Sequence, residues 1–276
     1  MGTADAERPA VRHGPDVRGR VAAHPLATYV LLAYAFSWAY WVPLALGEQT
    51  VEAGVGRPSQ LPGLLGPALA AVVVTAVVGG RAGLADLGRR LVRWRVGWWW
   101  LSVVAVLGVG AGALAVVGGT TDAGDLTRYS GIDAAAGPVG TVALALVVNG
   151  LGEETGWRGF LADRLLRRHG LTVTALLVAA AWAPWHAPLF VLMGSFAGFT
   201  PVETVGWVIG LTAGSVVLTW LYRGASASIL LVAVWHVAFN LTSGTPGTAG
   251  TVAAVSSTVV MVAAVVIVAA DLRRRR

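Results

Sequence analysis

The stretch that decides the fold runs VGTVALALVVNGLGEETGWRGF, from Val139 to Phe160. Its first ten residues are apolar enough for lipid, and then two adjacent glutamates and an arginine arrive on the same predicted helix. Working outward, the 276-residue chain is 56% hydrophobic and only 12% charged, against roughly a quarter charged for an ordinary soluble domain. Too few charges are present to cover a soluble exterior. The apolar runs are about 17–25 residues long, the length that crosses a bilayer as helix. The reading is an all-α, polytopic transmembrane helical bundle.

Eight apolar segments are expected, at about 26–46, 61–79, 98–118, 138–160, 171–193, 203–222, 226–243 and 250–270. Residues 1–25 are polar, hold Pro and Gly, and lack an apolar core, so they read as a flexible cytoplasmic tail and not as a signal peptide. Residues 26–272 read as a single transmembrane domain. All basic residues are arginine, and seventeen of the twenty fall at alternate connections, including Arg8, Arg12, Arg81, Arg93, Arg164, Arg167, Arg223 and Arg273 to Arg276. The other connections carry only Arg57 and Arg128, beside Asp122, Asp125 and Asp133. Positively charged loops stay inside, so both termini are expected in the cytoplasm and the span count must be even. In a soluble protein the net charge of +6 would point to nucleic acid; here no such partner is expected, and the partner is the lipid bilayer. The absence of cysteine excludes disulfides and thiol chemistry. Trp94, Trp98, Trp99 and Trp100 read as an interfacial belt, and Gly66, Gly108, Gly110 and Gly112 as points where helices approach closely.

Within the spans of the C-terminal half few ionisable groups remain: Glu153, Glu154, Arg158, His186 and His236, with Glu203 at a span edge. A charge at membrane depth costs a few kcal/mol or more, so it faces the bundle interior with a partner. Glu154 and Arg158 are four apart and share a helix face, while Glu153 is rotated about 100° away. A purely structural pair is the plainer reading of Glu154 and Arg158; Glu153 is left for chemistry. His236 and Asn240 project together from one span. His186 lies between Pro184 and Pro188, which break backbone hydrogen bonds and can open a cavity. Asn149 either lines the site or, more simply, bonds helix to helix; His13, His24 and His169 lie outside the spans and read as solvated. Counted from the arginine-rich side, Glu153 lies roughly 16 Å in, His236 roughly 18 Å and His186 roughly 24 Å, a common layer expected to be reachable from the cytoplasm.

These residues resemble the type II CAAX prenyl endopeptidases, the Abi or CPBP family of intramembrane proteases. EETGWR matches the family's Glu-Glu-x-x-x-Arg as Glu153, Glu154 and Arg158; its aromatic-x-x-x-His is similar to Trp182 to His186, where phenylalanine is more usual than tryptophan; its His-x-x-x-Asn is similar to His236 to Asn240. The likeness is strong over about residues 137–243, where the protease-like core is expected, and moderate around RRLVRWRVGWWW. It implies a peptidase in a cell membrane, that of a bacterium, cutting a peptide or a membrane-anchored protein. Glu153 would activate water with His186, His236 and Asn240 would bind the oxyanion, and Glu154 and Arg158 would hold the site in shape. Family members are commonly labelled metalloproteases, and Glu153, His186 and His236 would then ligate zinc; there is no H-E-x-x-H, and a metal-free glutamate mechanism, using the same residues, is preferred. Two alternatives stay open: a non-proteolytic bacteriocin-immunity or scaffold protein of the same family, and a proton-coupled transporter.

Overall fold

The computed structural model describes residues 17–117 and 121–275. The first part of the expected tail, His13 included, lies outside the described residues. Residues 17–23 of that tail form a helix, α1 (Val17–Ala23), which packs against the third helix of the bundle. Each of the eight apolar segments contains a helix. Six are long and apolar enough to cross a membrane: α2 (Pro25–Leu46), α3 (Leu61–Leu91), α4 (Gly97–Val117), α5 (Ala134–Leu165), α7 (Pro201–Gly224) and α9 (Thr251–Arg273). Two are shorter, α6 (Leu171–Trp185) and α8 (Ile229–Ser243), of 15 residues each, or about 22 Å of helix. Among the described residues there is no strand, only the isolated bridges Val51–Met193 and Ala53–Ser130.

The short helices have local causes. In α6, Pro184 sits one residue before the end, and Pro188 two residues beyond His186, so the expected 171–193 segment breaks at His186 and resumes as a single turn, Leu189–Leu192. In α8, Ser228 caps the start by accepting from the Leu231 amide at 3.1 Å. α3 is interrupted at Gly80, whose φ of 57° and ψ of −152° are open to glycine. The break falls where the apolar segment expected at 61–79 gives way to arginine-bearing sequence.

α5 is the centre of the bundle and touches α3, α6, α7 and α8. Its hydrogen-bond ladder widens into π-turns at Ala145–Gly150 and again at Trp157–Ala162, bracketing the Leu151–Gly156 segment that carries both glutamates. Single π-turns recur inside helices at functional sites, and each one shifts the face that the following residues present. The polarity of the bundle is inverted relative to a soluble protein: Glu154 and Arg158 are fully buried while Val116 and Val139 are more than four-fifths exposed. Lipid covers the valines, and the charges find partners inside.

Of the four glycines expected at close approaches, two serve that purpose. A Cβ on Gly66 would lie 2.1 Å from Ser37 Oγ, and one on Gly110 would lie 2.5 Å from Thr242 Cγ2. Gly108 and Gly112 face open space, with nothing within 4 Å, because their sides of α4 turn away from the neighbouring helices. A tighter approach is on the motif helix itself. A Cβ on Gly156 would meet Tyr29 Oη at 2.4 Å and the Pro67 carbonyl at 2.6 Å. Gly156→Leu is therefore expected to separate α5 from α2 and α3, costing at least the 1–3 kcal/mol typical of overpacking. A thermal melt of the purified variant in detergent measures this, and an unchanged midpoint would contradict the packing.

The connections fall into two ends. At one, Arg90 Nη1 donates to the Gly159 carbonyl at 2.9 Å and to Tyr222 Oη at 2.6 Å, Tyr222 donates to Asp163, and Thr172 Oγ1 donates to Asp271 at 2.8 Å. These bonds tie the arginine-rich ends of α3, α5, α6, α7 and α9 together. At the other, Val51 N donates to the Leu192 carbonyl at 2.8 Å, Gln60 Nε2 to Ser130 at 2.8 Å and Gly247 N to Asp125 at 3.1 Å. Trp94 and Trp98 are largely exposed near the arginine-rich end, with Trp99 stacked on Trp98 at 4.1 Å and edge-on to Trp220 at 4.8 Å.

Candidate active site

A cavity of about 880 Å³ lies between α5, α6, α7, α8 and α9, and its wall includes Glu153, His186, His236 and Asn240. Four of the six site residues expected from sequence thus share one space. Glu154 and Arg158 lie behind it, in contact with the wall.

The two glutamates diverge as their one-residue rotation requires. Glu153, 2% exposed, has both oxygens held by N–H donors: Asn149 Nδ2 donates to Oε1 at 2.5 Å and Trp182 Nε1 donates to Oε2 at 2.7 Å. Each oxygen keeps a further lone pair for water. Glu154 Oε1 accepts from Arg158 Nη1 at 2.8 Å and lies 2.7 Å from His236 Nδ1. The expected Glu154–Arg158 pair is therefore present, and it has a third member that spacing along one helix could not show.

Trp182 is the hub. Its indole N–H holds Glu153, its ring face covers the Arg158 guanidinium at 4.4 Å, and its centroid is 5.7 Å from that of His186 and 5.6 Å from that of His236. A phenylalanine, more usual at this position of the motif, would keep the ring contacts and lose the bond to Glu153. His186 Nδ1 lies 2.8 Å from the Trp182 carbonyl, so it donates there and leaves Nε2 as an acceptor. The same logic applied to His236, whose Nδ1 faces a carboxylate, leaves its Nε2 directed away from Glu154.

A second polar group joins the site from outside the recognised motifs. Tyr129 Oη donates to Asn149 Oδ1 at 2.6 Å, and Asn240 Nδ2 donates to both Tyr129 Oη and Asn149 Oδ1 at 2.9 Å. Asn149 thus lines the cavity and bonds helix to helix at once. Tyr129 is the residue that sequence reasoning missed, since it lies in a connection and carries no motif. The nearest signal was a lone tyrosine in a polar loop, which is too common to single out. Glu203, noted at a span edge, caps α7 with Thr200 and stands at the cavity wall; His169 is exposed at the arginine-rich end.

Among the described residues no three His, Cys, Asp or Glu side chains form a group that could hold a metal ion. In Glu153, His186 and His236 as they stand, each oxygen of the carboxylate and one nitrogen of each imidazole already has a protein partner, and no step below is routed through a metal. The cavity also does not run toward the arginine-rich end. Its wall takes in Gln60, Tyr129, Ser130, Met193, Ser195 and Gly244, all from the opposite connections. Depth counted along straight helices could locate the layer but not the direction in which it opens.

These features define a class, a helical membrane protein that encloses a hydrogen-bonded carboxylate–imidazole cluster at the middle of its bundle. Residues 135–242 match the family described as type II CAAX prenyl endopeptidase Rce1-like. A relative from Methanococcus maripaludis, CAAX prenyl protease 2, is 27% identical over 93 residues, covering 32% of this chain and 34% of the relative. The chain therefore spans about a third of the length of the curated relative it matches. Residues 135–242, which hold all six expected site residues, are thus similar to this family of CAAX proteases.

Proposed function

We propose that this protein is an intramembrane endopeptidase that hydrolyses a peptide bond in a membrane-associated peptide or protein. The observation that carries the reading is Glu153, a buried carboxylate with an N–H donor on each oxygen, sharing one cavity with two imidazoles and an amide. The two donors fix the direction of the carboxylate, which is what a general base requires. Water held between Glu153 and His186 Nε2 gives its proton to Glu153 as its oxygen attacks the carbonyl carbon. The proton then passes to the departing amine as the C–N bond breaks.

The carbonyl oxygen becomes an oxyanion facing His236 and Asn240. To donate from Nε2, His236 must carry both ring protons, and Glu154 at its back supplies the counter-charge. Glu154 is itself held by Arg158, so the pair positions the histidine without touching substrate. Asn240 already uses its amide hydrogens on Tyr129 and Asn149; serving the oxyanion means exchanging one of these for the substrate.

The test is purified protein against a fluorogenic peptide library, with and without chelator, beside His236→Ala. Cleavage is expected to persist with chelator, and His236→Ala is expected to lower kcat by about 10²–10³-fold, the usual loss of an oxyanion donor. Loss with chelator and rescue by zinc would overturn the metal-free mechanism. A wild-type protein that cuts no peptide, yet whose removal alters bacteriocin sensitivity, would favour a scaffold of the same family.

Trp182→Phe isolates one bond. The ring contacts with Arg158, His186 and His236 are retained, and only the donor to Glu153 Oε2 is lost. A hydrogen bond to a charged group contributes about 1.5–3 kcal/mol, so kcat is expected to fall by about 10–100-fold with a fold that melts normally. An unchanged kcat would show that the indole N–H does not set the base.

A further inference from the structure

The charge pattern and the cavity point to opposite ends of the bundle, and together they determine which side of the membrane loads the site. Among the described residues, the connections at one end hold fourteen arginines. That end is also closed: Arg90, Tyr222 and Asp163 bond to one another across α3, α5 and α7, and Arg93 reaches the Ser226 carbonyl between α7 and α8. Among the described residues, none from the arginine-bearing connections lines the central cavity. The cavity instead extends from His236, midway along α8, to Ser243 and Gly244 at its end, and to Ser130, Met193 and Ser195 in the facing loops.

Arginine-rich connections are retained in the cytoplasm. We propose that the cavity is loaded from the extracytoplasmic side of the membrane, and that its substrate is a neutral or cationic segment displayed at that surface by an exported or membrane-anchored protein. Calling the occupant a substrate rests on the peptidase reading above; the sidedness of the cavity does not.

The preference for positive charge follows from the rim. The connections at this end and the start of α7 carry Glu48, Glu52, Asp122, Asp125, Asp133 and Glu203, against Arg57 and Arg128. Arg128 is already paired with Asp125 at 2.9 Å. Glu203 stands at the cavity wall itself. A rim of one sign over a low-dielectric cavity raises the local concentration of opposite charge, and acidic segments are turned away by the same field.

The chain has no cysteine, so each single-thiol variant reports one position. Ser195→Cys places a thiol in an exposed loop at the cavity wall, and His169→Cys places one in the exposed arginine-rich end. Intact cells expressing each variant are treated with a membrane-impermeant maleimide before and after permeabilisation. Ser195→Cys is expected to label in intact cells and His169→Cys only after permeabilisation; the reverse pattern would overturn the proposal. In a second arm, the full-length Ser195→Cys protein in detergent reacts with two small thiosulfonates, one bearing a trimethylammonium and one a sulfonate. After correction for their rates with a free thiol, the cationic reagent is expected to react about tenfold faster at low salt, with the difference closing as salt rises. Equal corrected rates would overturn the charge preference. Neither arm needs proteolysis, so a protein that cuts nothing would still report the sidedness.

Discussion

Glu153→Gln is expected to abolish peptide cleavage, lowering kcat by about 10²–10⁴-fold, the usual contribution of a positioned general base. The substitution preserves shape and removes only the charge and one acceptor oxygen. Its second consequence follows from the bonds on both oxygens. A glutamine must set its NH2 against either the Asn149 amide or the Trp182 indole, both of which are donors. A modest loss of stability, about 1–3 kcal/mol for an unsatisfied buried donor, therefore accompanies the loss of activity. Melting the variant beside the wild type separates the two effects. Activity retained in a folded Glu153→Gln protein would remove Glu153 from the mechanism and leave His186 as the next base to test.

The second large effect is on stability. Arg158 and Glu154 are both fully buried, 2.8 Å apart, with no exposed side-chain surface on either. Arg158→Ala leaves the Glu154 carboxylate facing only His236 and also uncovers the Trp182 face. Breaking a buried pair from one side costs about 3–5 kcal/mol, a large part of the roughly 5–15 kcal/mol that holds a typical domain together. The variant is expected to melt far below the wild type in detergent, or to accumulate poorly in the membrane. Glu154→Leu combined with Arg158→Met should recover much of this stability, because an apolar pair leaves no charge uncompensated. It should not recover activity, since His236 then has no carboxylate behind it. A double variant no more stable than Arg158→Ala would show that the cost lies in lost packing and not in the orphaned charge.

The arginine, glutamate and imidazole form a chain in which each group holds the next. Arg158 holds Glu154, Glu154 holds His236, and Trp182 spans the group while aiming Glu153 at the cavity. On the other side Asn149 carries the same function, tying Glu153 to Tyr129 and Asn240. Glu153, Asn149, Tyr129, His236 and Asn240 are thus each held by at least one hydrogen bond from a different element. Such preorganisation lets a site stabilise charge at the moment of reaction without rearranging.

What the sequence determined by itself was whatever depends on one helix at a time. Apolar runs of spanning length require helices in a bilayer, so the all-helical class and the places of the eight segments could be read directly. The pairing of Glu154 with Arg158, and the separate direction of Glu153, follow from a rotation of about 100° per residue. The arginine asymmetry is likewise a property of the linear chain. What only the tertiary structure decided depends on how helices rotate and tilt against one another. His236 reaches Glu154 from 82 residues away, and nothing in the spacing of either motif selects that partner over Glu153. Tyr129 enters from a loop with no motif, and Gly108 and Gly112 face open space while Gly110 between them meets Thr242. The two π-turns in α5 reset the face of the helix on both sides of the glutamates, so ideal periodicity cannot be carried through them. The mouth of the cavity opens away from the arginines for the same reason, because it is set by where helix ends part and not by the order of residues along any one of them.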